Sequence, residues 1–449
     1  MKESRREFFS NTPPRVMALL LGASSYACTQ PTTPTSISDK TTCTLYRACN
    51  GSPEAAMNKL VNMMGGASSL FGSDDIVVIK PNVQWWNQGA PNLCALKTFI
   101  DTIMERPGGF NGEVILGENC HRGPQPWTSA GWARPFERNA DIPGINTMND
   151  LAGHLKKKHG QKFSVAHWID VDAGGRRVYG PADGAGYVYC DGTGGVPLLQ
   201  YDNGASGNAF RQVIMTYPVF VTDQGTTVDF KNGVWSKGAY TGQPLKFINF
   251  AALNHHSTYC GITSSLKNYL GISDLSGGAD PANRGTLDGK YYNFHSFPFN
   301  KWAKGPVPGM LGGEIGCFMN SVRKADINIT SAEWVGLASR TDLPAARPRA
   351  IIACSDPVAL DYHNAKYILH PNSSISLHDP DHVAGPLYPE LKKCADLTGY
   401  QLDERHVKIV SHDCGTAQTV ENPGTTILGS TEWGMDFMSL LKYLFMRFV

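Results

Sequence analysis

Residues 247–271 read FINFAALNHHSTYCGITSSLKNYLG. The stretch opens as an apolar run of strand character, Phe247 to Leu253. It then turns polar and crowds Asn254, His255, His256 and Cys260 into seven residues. Gly261 follows, and Thr263, Ser264 and Ser265 supply the hydroxyls of a helix start. Lys267 and Asn268 fall on the first turns of that helix, and Gly271 closes it. A strand, a ligand-rich loop and a helix N-terminus in succession is where α/β proteins place binding sites.

The N-terminal half repeats the same alternation. Ser52-Pro53-Glu54 starts a helix running towards Met64, which Gly65 and Gly66 end. Ile76 to Ile79 is a short β-branched run, as in a buried parallel strand, and Lys80-Pro81-Asn82 stands at its end. A helix is predicted from Leu93 to Glu105 and a second strand from Glu113 to Gly117. That strand ends in Glu118-Asn119-Cys120-His121. A helix from Met148 to His159 leads to a third strand at 163–166. Helices alternating with strands imply a parallel sheet with right-handed crossovers. Residues 172–245 are dense in Gly, Asp, Tyr and Val and read as an antiparallel β-rich insertion. Strand character returns at 323–330 and 349–354. Asp356-Pro357 then caps and opens a late helix. The fold class is therefore α/β, a mostly parallel sheet flanked by helices with a β-rich antiparallel insertion.

The chain has 449 residues, 41% hydrophobic and 18% charged, as in a folded globular protein. A formal net charge of +1 gives nucleic-acid binding no electrostatic support. Ser4-Arg5-Arg6-Glu7-Phe8-Phe9 matches a twin-arginine export signal, with an apolar run at 16–22 and Ser25-Tyr26-Ala27 as the cleavage site. The expected partner is the twin-arginine machinery, and the expected location is periplasmic or on the outer surface. Cys28 directly after the cleavage point also fits a lipid anchor, although Tyr26 is bulky for that signal. The expected organisation is a signal peptide at 1–27 and a Thr/Pro-rich tether at 28–52. The α/β domain then spans 53–415, and an apolar helix or tail spans 416–449. Among eleven cysteines, Cys43 and Cys49 are the best local pair for a disulfide in an oxidising compartment. No CxxC or CxxCH occurs.

Four motifs stand in order: IKPN at 79–82, VILGEN at 114–119, GITSSLKNYLG at 261–271 and CSDPVALD at 354–361. Together they resemble the family known as domain of unknown function 362, over roughly residues 74–370. The resemblance implies redox or metal-associated chemistry. The chain departs from the family in lacking a cysteine-rich iron–sulfur segment. It also carries Asn254-His255-His256 where relatives often have Lys-Thr-His. The change removes a lysine and adds a histidine, which favours a metal or proton-transfer role.

His255, His256 and Cys260, with Cys120 from the loop after the second strand, are the candidate ligands of a transition metal. Neighbouring histidines on a strand face opposite ways, so one of the two, His256, is expected in the site. The alternative is a pair of structural histidines beside a buried cysteine. His256 and Glu118 are the candidate catalytic residues. Lys80, Asn82, Thr263, Ser264, Lys267 and Asn268 are the candidate binders of a small anionic substrate, with Lys267 near a helix N-terminus. Helix capping by Thr263 or Ser264 is the alternative. Asp356 reads as a cap, Asp361 as facing elsewhere, and His363 as a surface residue. Trp85 and Trp86 are placed to wall a pocket or to cover the core. No Gly-x-Ser-x-Gly, Walker or dinucleotide glycine pattern is present. The expected function is a metal-assisted or redox enzyme acting on a small anion. A non-catalytic, envelope-anchored ligand-binding protein is the alternative.

Overall fold

The computed structural model describes residues 43–119, 130–168, 177–206, 210–274, 290–291, 307–433 and 437–448. The expected signal peptide, Cys28, Cys120 and His121 lie outside the described residues. The described residues belong to one compact unit, Pro34–Val449.

The central sheet is built from nine main strands. They are β1 (Cys43–Cys49), β2 (Ile76–Pro81), β3 (Glu113–Glu118), β4 (Phe163–His167), β5 (Leu245–His255), β6 (Ile327–Gly336), β7 (Ala350–Cys354), β8 (Val407–Asp413) and β9 (Gln418–Glu421). Their order is β9-β8-β1-β7-β6-β5-β2-β3-β4. The run β6-β5-β2-β3-β4 is parallel throughout. Beyond it, β7 is antiparallel to both β6 and β1, β8 is parallel to β1, and β9 is antiparallel to β8.

Apolar runs become parallel strands here because both faces of the sheet are covered. In β2, Ile76 and Val78 enter one hydrophobic cluster while Val77 and Ile79 enter the other. In β5, Phe247 and Leu253 go to the first and Ile248 and Phe250 to the second. This period-2 split leaves no solvent face, so the strands read as continuous hydrophobic runs. Helix α1 (Pro53–Met63) begins at Ser52, whose side chain accepts from Ala55 N at 3.1 Å. Helix α2 (Leu93–Met104) crosses from β2 to β3 and is capped by Asn92. Helix α3 (Met148–His159) crosses from β3 to β4 and carries a full capping box, Thr147 with Asp150.

The topology sets the site. From β2 the chain steps outward through α2 to β3 and then to β4. It later returns to place β5 on the opposite side of β2, and from there proceeds to β6. The strand order reverses between β2 and β5, and the crevice beyond the carboxyl ends of these two strands is a topological switch point.

Three expectations are corrected. Residues 43–49 are not tether but β1, in the middle of the central sheet, because Leu45 and Ala48 are fully buried between β7 and β8. Residues after 415 are not simply an apolar tail: β9 extends the sheet, and 430–432 pairs with 345–347. The end of the chain, Phe437–Phe448, is helical. Among the described residues no helix is long and apolar enough to cross a membrane. The predicted helix after Thr263 is a single α-turn, α4 (Ser265–Asn268), continued by a 3-10 turn to Ile272. The insertion forms a six-stranded sheet within 177–240, antiparallel but for one pair. Strands 200–202 and 212–214 form a second small sheet with 290–291.

Candidate functional site

A polar cross-piece runs through the apolar sheet. Asn249 of β5 is in register with Lys80 of β2 on one side and Asn328 of β6 on the other. All three are buried, so each needs partners. Asn249 Nδ2 donates to Asn328 Oδ1 at 2.9 Å and to Ser265 O at 2.9 Å. Asn268 Nδ2 donates to Asn249 Oδ1 at 2.7 Å and to Lys80 O at 2.9 Å, and Lys80 Nζ donates to Asn268 Oδ1 at 2.5 Å. The three strands thereby grip α4 and fix Lys80 beside it.

Helix α5 (Pro357–Asn364) adds a further anchor. Asp361 Oδ1 accepts from Ser265 N at 2.8 Å and Oδ2 from Leu266 N at 2.9 Å. The expected anion site at this helix N-terminus is therefore already filled by a carboxylate of the protein, which corrects that reading. Burial raises the Asp361 carboxyl to about 7, against these backbone donors. Asp356 is the expected cap, accepting from Val358 N and Ala359 N, both at 2.9 Å.

The grip opens a cavity of about 520 Å³, solvent at its mouth included, at the switch point. Lys80, Glu118, Thr263, Lys267, Trp85 and Arg340 line it. Lys80 Nζ is held by Pro81 O at 2.7 Å, by Asn268 and by Glu118 Oε1 at 3.4 Å. Glu118 also accepts from Val83 N at 2.8 and 3.0 Å and from Trp132 Nε1 at 3.1 Å. Burial pushes its carboxyl above the usual range, with Lys80 opposing. Lys80 passes directly over Gly271, where a Cβ would stand 2.7 Å from both Cε and Nζ.

Lys267 is different. Its side chain is partly buried and lines the cavity. Desolvation, with Arg340 and Lys80 as neighbouring cations, lowers it from 10.5 to about 8. Arg340 comes from the loop after β6, and its guanidinium sits 5.5 Å from the centre of the Trp85 ring. The cavity thus gathers three cations around the one carboxylate, Glu118, among its described lining residues.

Three further lining side chains, Asn119, Asn254 and Thr263, are buried and carry an oxygen with no hydrogen-bond partner. The amide orientations are fixed, because Asn254 Nδ2 donates to Gln88 O at 3.3 Å and Asn119 Nδ2 to Ser273 O at 2.8 Å. Their Oδ1 atoms are therefore acceptors left open.

Of the expected anion binders, Lys80, Thr263 and Lys267 meet at this cavity. Asn82 and Asn268 also line it, but their amides are spent on the fold. Asn82 accepts from Ala252 N at 2.7 Å and donates to Gly89 O at 3.1 Å. Ser264 points away, towards Thr330 and Asn364. His256 does not line the cavity with Glu118. It sits in the tight turn that its own N–H closes on Gly261 O at 2.8 Å, with Nδ1 3.1 Å from Ser257 Oγ.

Of the expected metal ligands Cys120 lies outside the described residues, and His255, His256 and Cys260 are not grouped as a metal site. His255 Nδ1 lies 2.9 Å from His378 Nε2, and His378 Nδ1 lies 2.7 Å from Ser373 Oγ, a buried structural relay. Cys260 donates to Ile262 O at 3.3 Å, and burial pushes its thiol up to about 12, away from the thiolate a metal needs. Among the described residues no group of three or more His, Cys, Asp or Glu side chains is placed to hold a metal ion. His363 is not a surface residue. It is buried against Arg47, 3.4 Å from Nη1.

Trp85 walls the cavity as expected, whereas Trp86 stacks under Arg134 at 4.1 Å. Arg340, Asn249 and Asn328 are the residues that sequence reasoning missed. A signal existed for the last two: Ile79-Lys80, Ile248-Asn249 and Ile327-Asn328 each place one polar residue inside an apolar run.

Comparison of the chain with protein-family models, with curated proteins and with solved structures returned no match.

Proposed function

We propose that this chain is an enzyme acting on a small anionic substrate held in the switch-point cavity. Lys267 and Arg340 are the anion-binding groups, and Glu118 is the group that takes or gives a proton. The observation that carries the reading is charge imbalance at a partly desolvated site. Lys80 is committed to Glu118, while the Lys267 side chain makes no ion pair or hydrogen bond with any described residue. A cavity whose described lining carries three cationic side chains and one carboxylate favours an anion. A guanidinium suits carboxylate or phosphate, which it binds with two parallel hydrogen bonds.

The order of the four motifs supports reading the chain as a relative of the family known as domain of unknown function 362. All four lie around the polar cross-piece and α4. The segment Ser4–Phe9 supports export by the twin-arginine route. The metal-assisted form of the reading draws no support from the described donors.

The test is a thermal-shift titration of the full chain with inorganic phosphate, sulfate, oxalate and malate, with choline as a cationic control. At least one anion should raise the midpoint saturably, and Lys267→Met and Arg340→Met should each weaken its affinity roughly tenfold or more, the scale of one charge-assisted contact. Variants that fold and respond like the parent would remove the proposal.

A further inference from the structure

We propose that Lys267 is an amine nucleophile that condenses with the carbonyl group of a 2-oxo carboxylate in the switch-point cavity, forming an imine. This rests on the anion-site reading and names the substrate class for it.

The two lysines at the cavity have opposite surroundings. Lys80 Nζ is saturated by Pro81 O, Asn268 Oδ1 and Glu118 Oε1, and its pairing with a carboxylate keeps it an ammonium. Lys267 has no such acceptor among the described residues. The charged groups that face it are Arg340 and Lys80, with the Cys260 thiol opposing their effect. Like-charged neighbours and desolvation are the conditions that give a lysine a free lone pair at neutral pH. A pKa of about 8 supplies on the order of a hundredfold more neutral amine than an ordinary lysine has at pH 7.

The other lining groups suit a carbonyl set beside a carboxylate. Arg340 keeps its charge and offers a planar fork to the carboxylate, so substrate charge is held without consuming Lys267. Thr263 Oγ1 and Asn254 Oδ1 are buried at the cavity without partners. One hydroxyl and one amide acceptor match the O–H and N–H that a carbinolamine presents. In the addition step the nitrogen lone pair forms the C–N bond, the carbonyl π pair moves to oxygen, and the amine proton ends on that oxygen. In the second step the hydroxyl takes a proton and leaves as water as the C–O bond breaks, the nitrogen lone pair forms the C=N bond, and the remaining N–H proton is given up to the group that supplied the first. Glu118, the carboxylate at the cavity, is the group available to carry that proton. The sum is amine plus carbonyl giving imine plus water, with no oxidant or reductant.

The experiment is reductive trapping. The full chain is incubated with pyruvate or glyoxylate and sodium cyanoborohydride, then mapped by peptide mass spectrometry. One saturable adduct is expected on the peptide carrying Lys267, competed by whichever anion shifts the midpoint. Lys267→Arg keeps a cation but cannot form the imine. It should lose the adduct entirely. An absent adduct, or labelling spread over exposed lysines, overturns the imine proposal. If the anion shift persists in that case, the anion-site reading stands alone; if the shift is absent too, both fall.

Discussion

Lys80 Nζ lies 3.4 Å from Glu118 Oε1 at the carboxyl ends of neighbouring parallel strands, and both side chains are almost wholly shielded from solvent. A buried ion pair of this kind is weak as a source of net stability but costly to break, because the surviving partner is left as an unpaired buried charge. Lys80→Met should therefore destabilise the protein by about 3–5 kcal/mol in urea unfolding. Lys80→Met combined with Glu118→Gln should recover a substantial part of that loss, since neither buried charge remains. A double variant as unstable as the sum of the two single variants would show that the pair is not coupled.

The Asp361 carboxylate fastens α4 from another helix, through Ser265 N and Leu266 N. Asp361→Asn replaces one accepting oxygen by an N–H pointing at an N–H. A loss of about 1–3 kcal/mol is expected for the unsatisfied buried donor. Because α4 carries Lys267, anion affinity should also fall, by more than Ser264→Ala lowers it, since Ser264 does not line the cavity. Urea unfolding and the thermal-shift titration together check this. An Asn variant with parental stability and affinity would remove Asp361 from the account.

The parallel sheet was legible because buried strands must be apolar on both faces, and Ile76–Ile79 with Phe247–Leu253 show that. Helix α3 was legible over its predicted span, Met148 to His159, and the structure adds the Thr147–Asp150 capping box at its start. The candidate site was half legible. Lys80, Glu118, Thr263 and Lys267 stand at strand ends or on α4, where the topology places ligands. Arg340 was not visible, because it belongs to a loop whose position depends on β6 running parallel to β5. His256 and Cys260 misled for a related reason. Their spacing suits a metal, but the turn from His256 to Gly261 directs one ring to Ser257 and the thiol to Ile262 O. Local spacing does not report such directions. Ser264 lost its expected role because Asp361, nearly a hundred residues away, supplies the cap.

Cys43 and Cys49 occupy the two ends of β1, six residue steps apart. At about 3.3 Å per step their Cα atoms are separated by roughly 20 Å, far beyond disulfide reach. Each has another cysteine nearby instead: Cys43 hydrogen-bonds Cys354, and Cys414 N donates to Cys49 O at 2.8 Å. Mild oxidation followed by non-reducing peptide mapping should give a Cys43–Cys354 linkage and no Cys43–Cys49 linkage. Recovery of the local pair would mean that β1 does not form.

Glu314 and Glu390 give the pH dependence its clearest sign. They are buried near each other, on helix Met310–Ser321 and helix Leu387–Thr398, and Tyr201, Tyr259 and Cys260 are titratable groups that face them. Glu390 accepts from Gly312 N at 2.8 Å and Gly309 N at 3.2 Å, yet burial pushes it up to about 8, and burial with Glu390 opposite also raises Glu314. A folded-state pKa above the unfolded value means that the native protein binds the proton more tightly. The contribution is then fully present below about pH 4.3, the unfolded value, and is lost as pH rises through about 8. The buried histidines His363 and His378 have lowered values and act in the opposite sense below about pH 6.5, so the parent's own profile mixes both signs. The difference between parent and Glu390→Gln isolates the carboxyl, because glutamine keeps an acceptor for Gly312 N and does not titrate. From pH 5 to pH 8 the parent should lose stability relative to the variant, by on the order of 2–4 kcal/mol. A pH-independent difference would show that Glu390 titrates at its ordinary value in the fold.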